Sequence, residues 1–179
     1  MTERLTLRFT DPADAEAMLA YKSRADVVRY VPYPPLTIDQ IAERLAEGGR
    51  WSRRTLSAEG DAITIAVVET STSQLVGDVA LIWASDVHRA IEIGYILAPE
   101  FMGRGYATEA TAALLTIAFD EFNAHRVIAT VDVRNSQSFP VLERLRMRCE
   151  ARHVSDHWIK GEWVSTLVYA ITEDEWRGS

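Results

Sequence analysis

The sequence contains one cysteine, Cys149, among 179 residues, so it cannot form an internal disulfide. A lone thiol is typical of a protein in the reducing cytoplasm. No apolar run approaches 18 residues, and the first residues, MTERLTLRF, do not resemble a signal peptide. We therefore expect a cytoplasmic protein with no membrane partner. Cys149 begins a predicted strand, where we expect a small, buried hydrophobic side chain.

Basic residues are too few for a nucleic-acid-binding protein. The formal net charge is −7, whereas nucleic acid requires a basic face. This charge would suit a cationic acceptor such as an amine, although many acidic proteins bind no cation. With 47% hydrophobic and 25% charged residues, the composition is that of an ordinary globular protein. The length predicts a single domain, residues 1–179.

The histidines do not have the spacing of a metal site. His153 and His157 lie four residues apart in a strand-like pattern. That spacing separates their Cα atoms by about 13 Å, too far for one ion. We therefore expect no metal.

The central part of the chain combines a strand, a glycine turn and a helix, IEIGYILAPEFMGRGYATEATAALLTIAFD. Apolar residues alternate from Ile91 to Leu97, which predicts a strand. Gly103 and Gly105 then open a helix predicted from Arg104 to Asn123. Amide groups in the first turn of a helix have no partner within it, and glycine lets a ligand approach the backbone closely. This arrangement predicts a site for a phosphate-bearing ligand, with Arg104 adding positive charge.

Two glycines before a helix can also form an ordinary tight turn, so the motif alone is weakly specific. A Walker loop is excluded because no Gly-Lys-Ser/Thr follows. A Rossmann fingerprint does not fit either, because the third small residue comes one position early and about half the chain precedes the motif.

The other elements follow from alternation, capping residues and turns. Asp11-Pro12 and the Thr37–Gln40 capping box begin two helices, of which the second ends at Gly48-Gly49 or extends through Trp51 to Leu56. A third short helix is predicted from Ser138 to Met147. The strand at Ile91 and the next strand flank a crossover helix, which makes them parallel neighbours. The predicted strands are Arg4–Phe9, Ile63–Val68, Leu75–Trp83, Ile91–Leu97, His125–Val133 and a hairpin within His153–Ile171 that turns at Lys160-Gly161.

The segment IEIGYILAPEFMGRGYATEA resembles motif A of the GNAT acetyltransferases, which binds the pyrophosphate of acetyl-CoA. VDVRNSQSFPVLERLRM and HVSDHWIKGEWVSTLVYAITEDEW are similar to segments of the RimJ/RimL-type branch, which acetylates ribosomal-protein N-termini and other amines. The resemblance covers nearly the whole chain. It implies an α+β (mixed α/β) GNAT fold, with a six- to seven-stranded mixed sheet, about four flanking helices and splayed central parallel strands.

The resemblance implies acetyl-CoA as acyl donor and assigns residues to it. Met102 stands where the family usually has glutamine or arginine. A backbone N–H at a bulge near Tyr95 to Leu97, easiest at Gly94, would polarise the thioester carbonyl, a contribution of about 3 kcal/mol. The implied cofactor-binding residues are Tyr95, Ile96, Leu97, Met102, Gly103, Arg104, Gly105, Tyr106, Ala107, Thr108, Asn135, Ser138 and Arg144.

Glu92 is the expected general base, because the resemblance places a glutamate there and a carboxylate can accept a proton through water. The alternative is a solvated strand glutamate. Many GNAT enzymes use a tyrosine as the acid, but Leu142 occupies that position here. Ser138 is the branch's alternative, although it could simply be an N-cap. Asn135 and Arg144 could likewise be an ordinary turn residue and an ordinary surface residue.

The N-terminal helices and the proline-rich corner are expected to form the acceptor wall. Tyr30, Tyr33 and Trp51 could line it, or belong to the core. The sequence offers no Cys–His pair that could form an acyl-enzyme, so we expect direct transfer to a primary amine on a small molecule or protein N-terminus. The resemblance is compatible with a monomer or a homodimer. A catalytically silent acyl-CoA-binding module, used for sensing or interaction, is the alternative, because Met102 and Leu142 depart from the family pattern.

Overall fold

The computed structural model describes residues 2–178, which form one seven-stranded sheet and five α-helices. The strands are β1 Leu5–Phe9, β2 Ala62–Glu69, β3 Leu75–Ser85, β4 Ala90–Leu97, β5 Arg126–Asp132, β6 Arg148–Ile159 and β7 Glu162–Thr172. The helices are α1 Ala15–Lys22, α2 Ile38–Leu45, α3 Tyr106–Asp120, α4 Phe139–Arg144 and α5 Glu173–Arg177. The α+β prediction of a six- to seven-stranded mixed sheet is confirmed.

The strand order is β1-β2-β3-β4-β5-β7-β6. All neighbouring pairs are antiparallel except β4 and β5, which the crossover helix α3 connects as predicted. The two halves of the sheet therefore meet at the only parallel pair among residues 2–178.

The parallel pair comes apart soon after it begins. β4 and β5 share only three paired positions: Ala90 with Arg126, Ile91 with Val127 and Glu92 with Ile128. β4 then continues to Leu97 and β5 to Asp132 without pairing to each other. This confirms the prediction of splayed central strands, which leave a cleft between β4 and β5 beyond Glu92 and Ile128.

The predicted bulge near Tyr95 to Leu97 is wrong. β3 and β4 pair in continuous register from Gly77–Leu97 to Trp83–Ile91, and their irregularity lies between Trp83 and Ser85. A bulge is unnecessary because β5 has already diverged, which leaves one side of β4 without a ladder partner. The alternate amides on that side are free without any extra residue.

The two faces of β4 meet different helices. Glu92, Gly94 and Ile96 share one face, and Asp78 of β3 lies on it because it pairs with Ile96. Helix α1 packs there through the Tyr21 hydroxyl, which donates to Asp78 at 2.6 Å. On the opposite face the Tyr95 hydroxyl donates to the carbonyl of Ser138, where α4 begins. Glu92 therefore faces the side covered by the N-terminal helices.

The helix starts follow the capping residues. Thr37 and Gln40 form the predicted capping box, and Asp11 caps a short 3-10 helix, Pro12–Asp14, that leads into α1. The predicted extension of α2 through Trp51 to Leu56 is wrong, because α2 ends at Leu45 and Gly48 turns the chain with φ +79. Helix α3 begins two residues later and ends three residues earlier than predicted, and α4 ends three residues earlier than predicted.

Cys149 is exposed, so the expectation of a buried thiol is wrong. It lies on β6, which is an edge strand, beside a register shift between Cys149 and Ala151. An edge strand with a bulge leaves more of its side chains in solvent than a central strand does. Across residues 2–178, every helix is too short or too polar to cross a membrane.

Candidate functional site

The glycine turn presents unpaired backbone amides at the start of α3. Gly103 and Gly105 adopt φ of +75 and +83, which favour glycine, and Gly105 is the N-cap of α3 without a side-chain cap. The amides of 105–108 have no acceptor within residues 2–178. A Cβ at Gly103 would meet nothing within 4 Å. Unpaired amides and the positive end of the helix dipole together suit an anionic group.

The Arg4 side chain holds the glycine turn in place. Its guanidinium donates to the carbonyl of Arg104 at 3.0 Å, pairs with Glu109 at 2.6 Å and lies 4.8 Å from the centre of the Tyr106 ring. Burial opposes ionisation of Glu109, but hydrogen bonds from Thr2 and Arg4 outweigh it and lower the pKa of this carboxyl. The residues just before β1 thus hold the glycine turn and the first turn of α3 together.

Tyr106 turns its side chain into the protein. The ring is buried, and its hydroxyl donates to Glu69, whose carboxylate also accepts from Thr72 at 2.6 Å. The hydrogen bonds from Thr72 and Tyr106 lower the pKa of Glu69, while the bond to Glu69 raises the pKa of Tyr106. At the predicted anion site, Tyr106 therefore contributes its amide and not its hydroxyl.

The other predicted phosphate-side residues lie at the surface. Met102 is 42% exposed and carries no charge. Arg104 is exposed, and its guanidinium lies 5.2 Å from the centre of the Phe101 ring. Arg144 is exposed on α4 and forms no ion pair with any residue from 2 to 178. Arg144 is free to approach a phosphate group, whereas the Arg104 guanidinium also interacts with Tyr106, where it opposes the rise in the pKa of that hydroxyl.

Glu92 occupies the last paired position before the strands diverge, opposite Ile82 on β3 and Ile128 on β5. Its side chain is half-buried, and its carboxylate receives no hydrogen bond from the part of the chain between residues 2 and 178. The neighbouring residue on the same face is Gly94, where a Cβ would meet nothing within 4 Å. A carboxylate with free lone pairs at the edge of an open cleft can accept a proton.

Asn135, Ser138 and Tyr95 meet at the other side of the cleft. The Asn135 side-chain amide donates to Ser138 Oγ at 3.0 Å, and the Tyr95 hydroxyl donates to the Ser138 carbonyl at 3.2 Å. Ser138 is at the N-cap position of α4, but its side chain makes no capping hydrogen bond. Its hydroxyl proton is therefore available to a ligand, which the N-cap alternative did not anticipate.

Leu142 is fully buried in α4 and belongs to the core. It cannot exchange protons, and a larger polar ring would not fit there without displacing its neighbours.

Burial raises the pKa of Tyr95 to about 12, so that hydroxyl stays protonated at neutral pH. Ser138 and Tyr95 therefore place hydroxyl groups on this side of the cleft, and Thr130 of β5 lies on the face of Glu92, two residues beyond Ile128.

The three aromatic residues predicted for the acceptor wall differ in exposure. Trp51 is 6% exposed and belongs to the core, with its ring centre 6.4 Å from that of Tyr33. Tyr30 and Tyr33 are half-buried. The core alternative thus holds for Trp51, whereas the two tyrosines retain accessible surface.

A buried ion pair lies beneath that wall and was missed. Lys22 Nζ is 2.7 Å from Asp78 Oδ1, and both side chains are more than nine-tenths buried. The ammonium also donates to the Tyr33 hydroxyl at 3.1 Å and lies 4.7 Å from the centre of the Trp51 ring. Helical spacing places Lys22 four residues after buried Met18, which is the one signal that could have indicated its burial.

Comparisons with known proteins agree with this geometry. An acetyltransferase (GNAT) domain model matches residues 4–148. The uncharacterised N-acetyltransferase YnaD of Bacillus subtilis (strain 168) is 30% identical over 176 residues, which cover 98% of this chain and 97% of YnaD.

Solved structures are similar over the same extent. A GNAT-family acetyltransferase from Bacillus anthracis superposes with a TM-score of 0.85 at 29% identity, and 98% of each chain is covered. A spermidine N-acetyltransferase from Vibrio cholerae, solved with CoA and spermine, has a TM-score of 0.81 and covers 97% of this chain and 98% of its own. Its identity is 22%, so the likeness to it concerns the fold alone.

Proposed function

Because the chain belongs to the GNAT acetyltransferase family, we propose that it transfers acetyl from acetyl-CoA directly to a primary amine in a ternary complex. The observation that carries this proposal is the combination of unpaired amides at the start of α3 with the adjoining cleft between β4 and β5. The unpaired amides suit a diphosphate, and the cleft suits the extended pantetheine chain that joins the diphosphate to the thioester.

The anion site would hold the diphosphate through the amides of 103–108, with Arg104 and Arg144 contributing charge. The exposed Met102 contributes surface only. In the cleft, Asn135 would hydrogen-bond the pantetheine amides, and the free edge of β4 at 95–97 would position the thioester. A preorganised N–H aimed at the developing oxyanion contributes about 3 kcal/mol.

Glu92 would remove a proton from the attacking ammonium, through water or directly, because its carboxylate is unpaired at the edge of the cleft. The amine nitrogen then forms a bond to the acetyl carbon, and the bond between that carbon and sulfur breaks. Ser138 would relay to the departing thiolate the second proton that the nitrogen loses as it becomes an amide, since its Oγ accepts from Asn135 and keeps its own hydrogen free. Glu92 would thus accept a proton on one side of the cleft, and Ser138 would supply a proton on the other side.

The acceptor would approach from the face of Glu92, beneath α1 and α2, where Tyr30 and Tyr33 offer half-buried surface. Trp51 would support them from the core. The Asn135-x-x-Ser138 turn supports the RimJ/RimL-type branch, whose acceptors include protein N-termini and small amines. We further propose that residues 1–179 act as one domain in the cytoplasm, as a monomer or homodimer, since the seven strands form a continuous sheet.

The experiment is release of free CoA thiol from acetyl-CoA with a panel of amines, for the wild type and Glu92→Gln. The neutral amide should lower kcat at least a hundredfold and leave the Kd of acetyl-CoA within twofold. Glu47→Gln, at an exposed position outside the site, is the matched control.

If Glu92→Gln turned over at the wild-type rate at every pH, Glu92 would not be the base. If the wild type bound acetyl-CoA but released no thiol in the presence of any amine of the panel, the protein would instead be a silent binding module.

A further inference from the structure

A group of charged side chains lies at the open end of the cleft on the same face as Glu92. Asp132 ends β5 four residues beyond Ile128, the residue that pairs with Glu92. Even spacing along a strand places both side chains on one face, with Asp132 about 13 Å further along β5. An acceptor that extends from Glu92 toward this end of β5 would therefore pass Asp132.

Both acidic residues of this group are bound to one arginine. Arg134 donates to Asp132 at 2.9 and 2.6 Å, and its other nitrogen donates to Glu162 at 2.9 Å. Burial opposes ionisation of Asp132, but the hydrogen bonds and charge of Arg134, with a smaller effect of Arg29, lower the pKa of that carboxyl. The same contacts raise the pKa of Arg134. Neither carboxylate is left unpaired.

Two further cations, Lys160 and Arg29, lie next to this group. Lys160, at the tip of the β6–β7 hairpin, donates to the carbonyls of Val28 at 2.7 Å and Arg29 at 2.8 Å. It thereby joins the hairpin to the segment between α1 and α2. Tyr30 follows directly, with its ring centre 5.3 Å from the guanidinium of Arg29 and 6.0 Å from that of Arg134.

We define the entrance cluster as Arg29, Asp132, Arg134, Lys160 and Glu162. It contains three basic and two acidic side chains; Asp156, beside it on the same face, accepts from Thr166, the residue paired with Asp132, so the charges of this face balance in a chain whose net charge is −7. A polyamine needs unpaired carboxylates along its path to compensate its additional ammonium groups. Here one guanidinium occupies both carboxylates, and two other cations stand beside them.

We propose that Arg134 is a specificity-determining residue that makes the acetyltransferase reject polycationic acceptors in favour of amines with a single positive charge. This inference rests on the proposed function, because it concerns the acceptor side of the same cleft. Arg134 acts on the acceptor's remaining charges and takes no part in the proton transfers.

The test compares kcat/KM for hexylamine, 1,6-diaminohexane and spermidine, measured by thiol release at fixed acetyl-CoA. For the wild type, kcat/KM should decline as the number of ammonium groups rises. Arg134→Gln frees two carboxylates and should raise the ratio of spermidine to hexylamine about tenfold, as expected for one unit charge at the edge of a protein. Arg134→Lys, which keeps the charge, should restore a ratio near that of the wild type.

Arg177→Gln is the matched control, because Arg177 also pairs with two carboxylates, Asp120 and Glu173, and its charge lies on α5, outside the cleft. Its ratio should stay at the wild-type value. Lys160→Met removes a cation of the cluster without touching Arg134, so it gives a second reading should Arg134→Gln fail to fold. It should shift the ratio in the same direction.

A wild type that prefers spermidine overturns the inference, as does a ratio that neither Arg134→Gln nor Lys160→Met changes. In both cases amines are still acetylated, so the proposed function survives. Absence of thiol release with every amine would refute the proposed function, and the inference with it.

Discussion

Removing one partner of the buried ion pair between Lys22 and Asp78 should destabilise the protein strongly. The two charges of the pair are 2.7 Å apart, and the Lys22 and Asp78 side chains are 1% and 8% exposed. Lys22→Met keeps the apolar stem but leaves Asp78 with only the Tyr21 hydroxyl as a partner. Removing one partner of a buried pair costs about 3–5 kcal/mol, because an uncompensated charge remains.

The electrostatic surroundings decide how this cost depends on pH. Burial would lower the pKa of Lys22, but the charge of Asp78 and the contact with Tyr33 outweigh it, and the pKa is raised. A raised lysine pKa stabilises the folded state below the ordinary lysine pKa of about 10.4, and the contribution is lost as the pH rises through the folded-state value. The difference between wild type and Lys22→Met should therefore be constant from about pH 6 to about pH 9.

The assay is urea unfolding followed by tryptophan fluorescence, with thermal unfolding as a second readout. Lys22→Met should lower the unfolding free energy by about 4 kcal/mol and the melting temperature by roughly 10 °C. The double variant Lys22→Met/Asp78→Asn removes both charges and keeps an acceptor for Tyr21, so it should recover more than half of that loss.

The control is Arg24→Met, which breaks the exposed pair of Arg24 with Asp26 and should cost less than about 1 kcal/mol. A loss below 1 kcal/mol in Lys22→Met, or a double variant less stable than the single one, would refute the reasoning.

Three further predictions concern the cleft. Arg4→Met should weaken acetyl-CoA binding about fivefold in calorimetry, because the Arg104 carbonyl and Glu109 lose their common partner, whereas Arg177→Met, at another exposed ion pair, should not. Leu142→Tyr should cost about 1–3 kcal/mol in urea unfolding without raising kcat, since this fully buried position cannot present a hydroxyl to the cleft; a faster enzyme would contradict that. Burial raises the pKa of Tyr95 to about 12, so its hydroxyl stabilises the folded state below about pH 10 and this contribution disappears toward pH 12. Tyr95→Phe should therefore lose less stability than the wild type over that pH interval, and equal losses would exclude the effect.

Local patterns in the sequence were sufficient to predict the strands and the glycine turn, whereas the splay between β4 and β5 followed only from the family resemblance. Alternation from Ile91 to Leu97, the turn at Gly103 and Gly105, and the capping box at Thr37 are all encoded within a few residues. The parallel pairing of β4 and β5 follows from the crossover connection alone. These features depend on backbone geometry, which local sequence constrains strongly.

Contacts between distant segments could not be predicted in this way. Asp78 lies 56 residues from Lys22, and Lys160 meets Val28 across 132 residues. No periodicity reveals that a lysine at a helix end is buried, or that a hairpin tip reaches another loop. The exposure of Cys149 and the continuous register at Gly94 also depend on which strand lies beside them, and only the folded chain shows that.

The central claim is that unpaired amides at the start of α3 bind the diphosphate of acetyl-CoA. Gly105→Val tests it, because Gly105 has φ +83, which favours glycine, and a Cβ there would approach to 3.4 Å the Arg4 guanidinium that holds the turn. Gly60→Val is the matched control, since Gly60 has φ +87 and open space around its Cβ position.

The decisive measurement is calorimetric titration of both variants with acetyl-CoA and with S-acetylpantetheine, which has no diphosphate. We predict that Gly105→Val weakens acetyl-CoA at least tenfold, changes S-acetylpantetheine less than twofold, and that Gly60→Val changes neither. Wild-type affinity of Gly105→Val for acetyl-CoA, or an equal loss for both ligands, would contradict the account.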